Sequence, residues 1–121
     1  MAFWSSALLF LAGLAGASGV ALSAYAAHED GGANLSTAAT FLLIHAAAVA
    51  GLCAGGATRR GLLQAATLLV IGVVLFSGDI TLRVMTGASL WRMAAPTGGV
   101  MMIVGWLWLS VAAFLGRRPT P

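Results

Sequence analysis

The chain has 121 residues, 60% hydrophobic and only 7% charged, with a mean hydropathy of +0.99. Nine formal charges cannot clothe a water-soluble surface, so composition excludes an ordinary soluble domain and leaves a membrane protein. The net charge of +3 comes from six arginines and no lysine, gathered at a few positions; this is a topology signal, not the basic face that nucleic acid requires.

Four apolar stretches of bilayer-spanning length are expected to be helices, at about 3–27, 36–57, 62–86 and 96–115, within one transmembrane domain covering 1–121. The first ends in Ser23, Ala24, Ala26 and Ala27, which resemble a small-residue cleavage site. Its apolar run is longer than a signal core and no basic segment precedes it, so it is expected to stay as a helix. The loop "HEDGGANLS" follows, with His28, Glu29 and Asp30. Asn34 or Ser36 is expected to cap the second helix, and Asn34-Leu35-Ser36 fits a glycosylation sequon, a pattern common by chance. Cys53 near the end of that helix has no partner for a disulfide and reads as a small packing residue.

Arg59 and Arg60 separate the second and third helices, and Arg117 and Arg118 follow the fourth. By the positive-inside rule this face is cytoplasmic and holds both termini, which places the protein in a cell inner membrane as a multi-pass protein, or in the mitochondrial inner membrane of a eukaryote. The opposite face takes the first loop and "GASLWRMAAP", with Trp91 as an interfacial anchor and Pro96 in the first turn of the fourth helix. Short loops make neighbouring helices antiparallel, giving an all-α, up-down-up-down four-helix membrane bundle. Gly13, Gly16, Gly51, Gly55, Gly98, Gly99 and Gly105 are the expected points of close helix approach, Gly51 and Gly55 at GxxxG spacing.

Polar residues inside the spans are few. Asp79 and Arg83 share a face of the third helix at i and i+4, with the acid first, the favourable order for a helical ion pair. Self-neutralisation with the arginine snorkelling outward accounts for both charges as a clasp. Chemistry is the other reading, because His28, Glu29, Asp30 and Arg92 belong to the same outer side and such a cluster suits a cation, protons, a lipid head group or another subunit. His45 falls near the midplane. It either hydrogen-bonds a neighbouring helix or ligates haem with a methionine such as Met101 or Met102. No Ser/His/Asp constellation, paired catalytic carboxylates or metal-spaced ligands appear, so the chain reads as a non-enzyme with no catalytic residues, metal site or cofactor.

The ordered motifs "YAAHE" (25–29), "FLLIHA" (41–46), "FSGD" (76–79), "TG" (86–87), "APTGG" (95–99) and "GW" (105–106) resemble the transmembrane protein 256 / YgdD family, domain of unknown function 423. The resemblance covers roughly 13–110 and implies a small four-helix inner-membrane protein without an established activity. On it, His28 and His45 match the histidines of the first two helices, while Ala26 and Glu29 stand where glycines are usual and Leu42 where glutamine is common. Asp79, Thr81 and Arg83 replace a serine, a tyrosine and an apolar residue. Three functions follow as expectations: an accessory or stabilising membrane subunit acting through helix contacts with another membrane protein or a second copy; a proton- or ion-coupled transporter using Asp79, His45 and His28; and a haem-binding membrane subunit.

Overall fold

The computed structural model describes residues 2–30, 32–54 and 59–115. They form four helices, α1 (Ala2–Ala26), α2 (Gly32–Cys53), α3 (Arg60–Thr86) and α4 (Ala94–Ala112), each long and apolar enough to cross a bilayer. The register is antiparallel throughout. In the α1/α2 pair Gly16 faces Ala46 and Gly19 faces Leu43, whereas Ser5 donates a hydrogen bond to the Cys53 carbonyl. In the α3/α4 pair Gly61 meets Ala112, Leu69 meets Gly105 and Gly72 meets Gly98. The bundle is therefore up-down-up-down, with the start of α1 and the end of α4 at one end. α3 is the hub: it packs on α4 along most of its length, on α2, and on a short stretch of α1.

Many large apolar side chains face outward, and alanines fill much of the interior. Phe3, Phe10, Ile103 and Leu107 point outward, each more than three-fifths exposed, while Ala38, Ala39, Ala65, Ala66 and Ala94 have no exposed surface. Lipid tails solvate a large side chain as well as a neighbouring helix does, so no hydrophobic force draws the large residues inward; close backbone approach through small ones holds the helices together. A methyl group built on Gly98 would lie 2.5 Å from the Gly72 carbonyl oxygen and 2.6 Å from the Phe76 nitrogen. One on Gly105 would lie 2.9 Å from Leu69. Where α1, α2 and α3 meet, Leu8, Ala12, Val49, Leu63, Ala66 and Leu69 form the apolar core, with Cys53 buried among them.

The helix ends differ from expectation in instructive ways. α2 begins at Gly32, not Ser36, so Asn34 and Ser36 lie inside the helix and do not cap it. Thr37 and Thr40 return their hydroxyls to the Ala33 and Ser36 carbonyls, which lets a polar stretch run on as helix. α2 ends at Cys53, where Ala54 already belongs to a turn, and residues 55–57, Gly55 among them, expected to extend it lie outside the described ones. α4 stops at Ala112, short of 115, because Arg59 reaches across from the start of α3 and donates to the carbonyls of Ala112 and Leu115. A guanidinium there satisfies carbonyls left without helical partners and opposes the negative end of the helix dipole.

Candidate functional site

The C-terminal end of α3 carries the densest polar arrangement. α3 runs past the level at which α4 begins: Gly98, five residues into α4, already faces Gly72. The last turns of α3 would otherwise stand alone, and the α3–α4 loop folds back beside them. Gly87 makes this reversal, adopting a left-handed φ of 76° and donating its N–H to the Arg83 carbonyl at 2.9 Å. Irregular backbone at this depth needs internal partners, since hydrocarbon supplies none. Asp79 provides one. It has no exposed surface, and its Oδ1 accepts the Leu90 N–H at 2.9 Å. Arg83, 47% exposed, brings Nε to 2.9 Å from Oδ2, and its Nη2 donates to the Arg92 carbonyl at 3.3 Å. The Nε–H points off the line to Oδ2, so that oxygen is held by charge without an aligned hydrogen bond. The pair thus clasps more than itself. It ties the loop to the helix at two backbone groups, a role that i,i+4 spacing alone could not disclose.

A second polar node lies deeper. His45 Nδ1 is 2.8 Å from the Phe41 carbonyl and Trp106 Nε1–H donates to His45 Nε2 at 3.1 Å. An indole nitrogen only donates, so Nε2 must accept and Nδ1 must carry the proton: the ring is neutral, in one tautomer. Phe41 stacks on His45 with centroids 5.9 Å apart and meets Phe76 at 4.8 Å. This node joins α2 to α4, whose backbones do not otherwise approach among the described residues. Metal or haem ligation through His45 would require breaking the Trp106 bond, and protonation of Nε2 would set one N–H against another.

The remaining candidates are dispersed. His28, Glu29, Asp30 and Arg92 are exposed, and among the described residues no ion pair joins the two acids to Arg83 or Arg92. His28 and Glu29 belong to the turn that closes α1, through backbone bonds to Tyr25 and Ala26. Asp79 lies under the other loop. Phe41 and Phe76 touch, yet His45 follows the first in one direction and Asp79 follows the second in the other, which sets them about 10 Å apart along the bundle axis. Among the described residues no group of His, Cys, Asp and Glu side chains is placed to hold a metal ion.

The glycines divide in the same way. Gly98 and Gly105 lie in tight contact with α3, whereas a methyl group built on Gly99 would lie 3.9 Å from Phe76 and one on Gly16 would lie 3.7 Å from Ala46, both ordinary contact distances. Gly13 and Gly51 face open space. Sequence reasoning missed Gly72, the opposing member of the close pair with Gly98, and Ser77, whose hydroxyl donates to the Ala38 carbonyl at 2.8 Å. For Ser77 a signal existed, a hydroxyl just before Asp79 in the same motif. An isolated glycine in an apolar run, such as Gly72, shows no sign of its partner.

Residues 15–99 match the family described as "Protein of unknown function (DUF423)". A UPF0382 membrane protein of Staphylococcus aureus is 34% identical over 59 residues, 49% of this chain and 48% of its own. One from Staphylococcus haemolyticus is 36% identical over 59 residues with the same coverage, and one from Staphylococcus saprophyticus is 40% identical over 47 residues, 39% of each chain. The chain spans about half the length of the first of these relatives. No solved structure matches it. With four apolar helices and relatives named as membrane proteins, this is a multi-pass membrane protein, and it belongs to the DUF423 family of unknown function.

Proposed function

We propose that this protein is a non-catalytic subunit that works through its helix surfaces, as an accessory or stabilising component of a membrane assembly or of a homo-oligomer. The supporting observation is the outward placement of small residues at helical spacing: Gly13, Ala17 and Ala21 on α1, and Ala47, Gly51 and Ala54 on and just after α2. A methyl group built on Gly13 or Gly51 meets nothing within 4 Å. Inside this protein the small residues are what let helices approach, so small residues on an outer face offer another helix the same contact. The polar groups at depth point the same way, since Asp79, His45 and Ser77 are each engaged within the chain. The arginines at the start of α3 support a cytoplasmic placement of that end in an inner membrane.

Purification in mild detergent after quantitative crosslinking tests the reading. A stoichiometric partner or a defined homo-oligomer is expected, and Gly13→Leu and Gly51→Leu should each lower its yield while the four helices stay folded. A strictly monomeric, partnerless protein would count against it.

A further inference from the structure

At the basic end, opposite the Asp79 clasp, a groove of about 510 Å³ opens beside α3, lined by Trp4, Gln64, Thr67, Leu68, Val104 and Trp108. We propose that this groove binds one anionic phospholipid, with its phosphodiester at Arg60 and Gln64 and an acyl chain running inward over Leu68 and Val104.

Three features converge on an amphiphile. The first is a polarity gradient along one face of α3. Arg60, Gln64, Thr67 and Leu68 recur at helical spacing, so charge, amide, hydroxyl and hydrocarbon succeed one another over about 12 Å of depth. α4 matches that gradient in antiparallel register, presenting Trp108 toward the rim and Val104 further in.

The second is unspent polar capacity. Gln64 is exposed, and no hydrogen bond among the described residues engages its amide, although it lies about 6 Å inward of Arg60 by helical rise. The Trp108 indole N–H has no accessible surface and takes no part. In hydrocarbon the Gln64 amide needs an oxygen, and a phospholipid carries phosphate and ester oxygens at this depth. The other polar groups of the groove are already occupied: Trp4 donates to Thr67 at 2.9 Å, and Thr67 donates to the Leu63 carbonyl at 2.7 Å.

The third is charge complementarity. The two arginines at the start of α3 divide their work, because Arg59 is committed to the end of α4 while Arg60 is exposed and leads the same face as Gln64. α3 has no side-chain cap at this end, so its free N–H groups add positive potential beside Arg60. A free anion would use the rim alone. Only a lipid also fills the apolar depth between Leu68 and Val104, which commits the site to a lipid.

Native mass spectrometry tests this on the full chain, delipidated and then released from nanodiscs of phosphatidylcholine containing one-fifth phosphatidylglycerol. The wild type is expected to retain one phosphatidylglycerol, undisplaced by millimolar inorganic phosphate. Arg60→Gln and Val104→Trp should each lower that occupancy at least fivefold, whereas Arg92→Gln, at the opposite end, should leave it unchanged. Equal retention in wild type and Arg60→Gln, displacement by phosphate, or equal retention of phosphatidylcholine would each overturn the proposal. Should a variant fail to fold, the wild type still decides. Brominated phosphatidylglycerol must quench its tryptophan fluorescence more than brominated phosphatidylcholine at the same mole fraction, and equal quenching refutes the site.

Discussion

Replacing Asp79 by alanine removes the tether of the α3–α4 loop at Leu90 and the counter-ion of Arg83, and its cost follows from the two groups it leaves without a partner. The Leu90 N–H, on a half-exposed residue, loses the buried carboxylate that accepts it, about 1.5–3 kcal/mol for a hydrogen bond to a charged group. Arg83 is half exposed and can turn toward the interface, so loss of its counter-ion contributes no more than about 1 kcal/mol. The sum is about 1.5–4 kcal/mol, most of it local to the loop. Asp79→Asn keeps an oxygen for Leu90 and should cost about half as much; Arg83→Gln should cost least. Reversible unfolding in mixed micelles reads the global loss, and amide exchange across 88–93 reads the loop. Exchange at Leu90 should rise at least tenfold in the alanine variant, since a tenfold change corresponds to about 1.4 kcal/mol. If Asp79→Ala left both stability and Leu90 exchange at wild-type values, the clasp would hold nothing and the reasoning would fail.

Other expectations follow from the same structure. Nitrogen chemical shifts of His45 should report the neutral tautomer protonated at Nδ1, and Trp106→Phe should destabilise the bundle by about 0.6–1.5 kcal/mol, the range of a membrane-buried interhelical hydrogen bond; an Nε2-protonated ring would contradict the assignment. Gly98→Val sets side-chain carbons against the α3 backbone and should cost about 3 kcal/mol or prevent folding, whereas Gly13→Val should leave the stability of the lone chain within about 0.5 kcal/mol, both checked by the unfolding assay. Arg59→Gln should fray the end of α4, seen as faster exchange at 112–115, with a global loss of about 0.5–1 kcal/mol.

How much could be read beforehand varies with the length of chain each feature involves. The four spans were legible because about twenty apolar residues in a row have one physical solution. Pairs within one helix were also legible: Asp79 and Arg83 meet because i and i+4 are neighbours on any helix. What depends on which helix lies opposite was not. Trp106 sits too deep in its span for an interfacial anchor, and only the placement of α4 reveals that it reaches His45 on α2. Arg59 reads as a topology signal and is also a helix cap, because the end of α4 arrives beside it. Leu90 bears an apolar side chain, so nothing at that position advertises a backbone N–H bound for Asp79. The glycines show the same limit: Gly98 and Gly13 are alike in sequence, and one is wedged against α3 while the other faces outward.

The outward small-residue face of α1 carries the functional account, and one measurement addresses it most directly. With Gly13→Cys introduced into a Cys53→Ala background, crosslinking in native membranes should trap a single discrete adduct of fixed mass, to another protein or to a second copy. A chain that remains wholly monomeric, or that yields only a diffuse ladder matching one from a cysteine placed on a large-residue face such as Ile103→Cys, would contradict it.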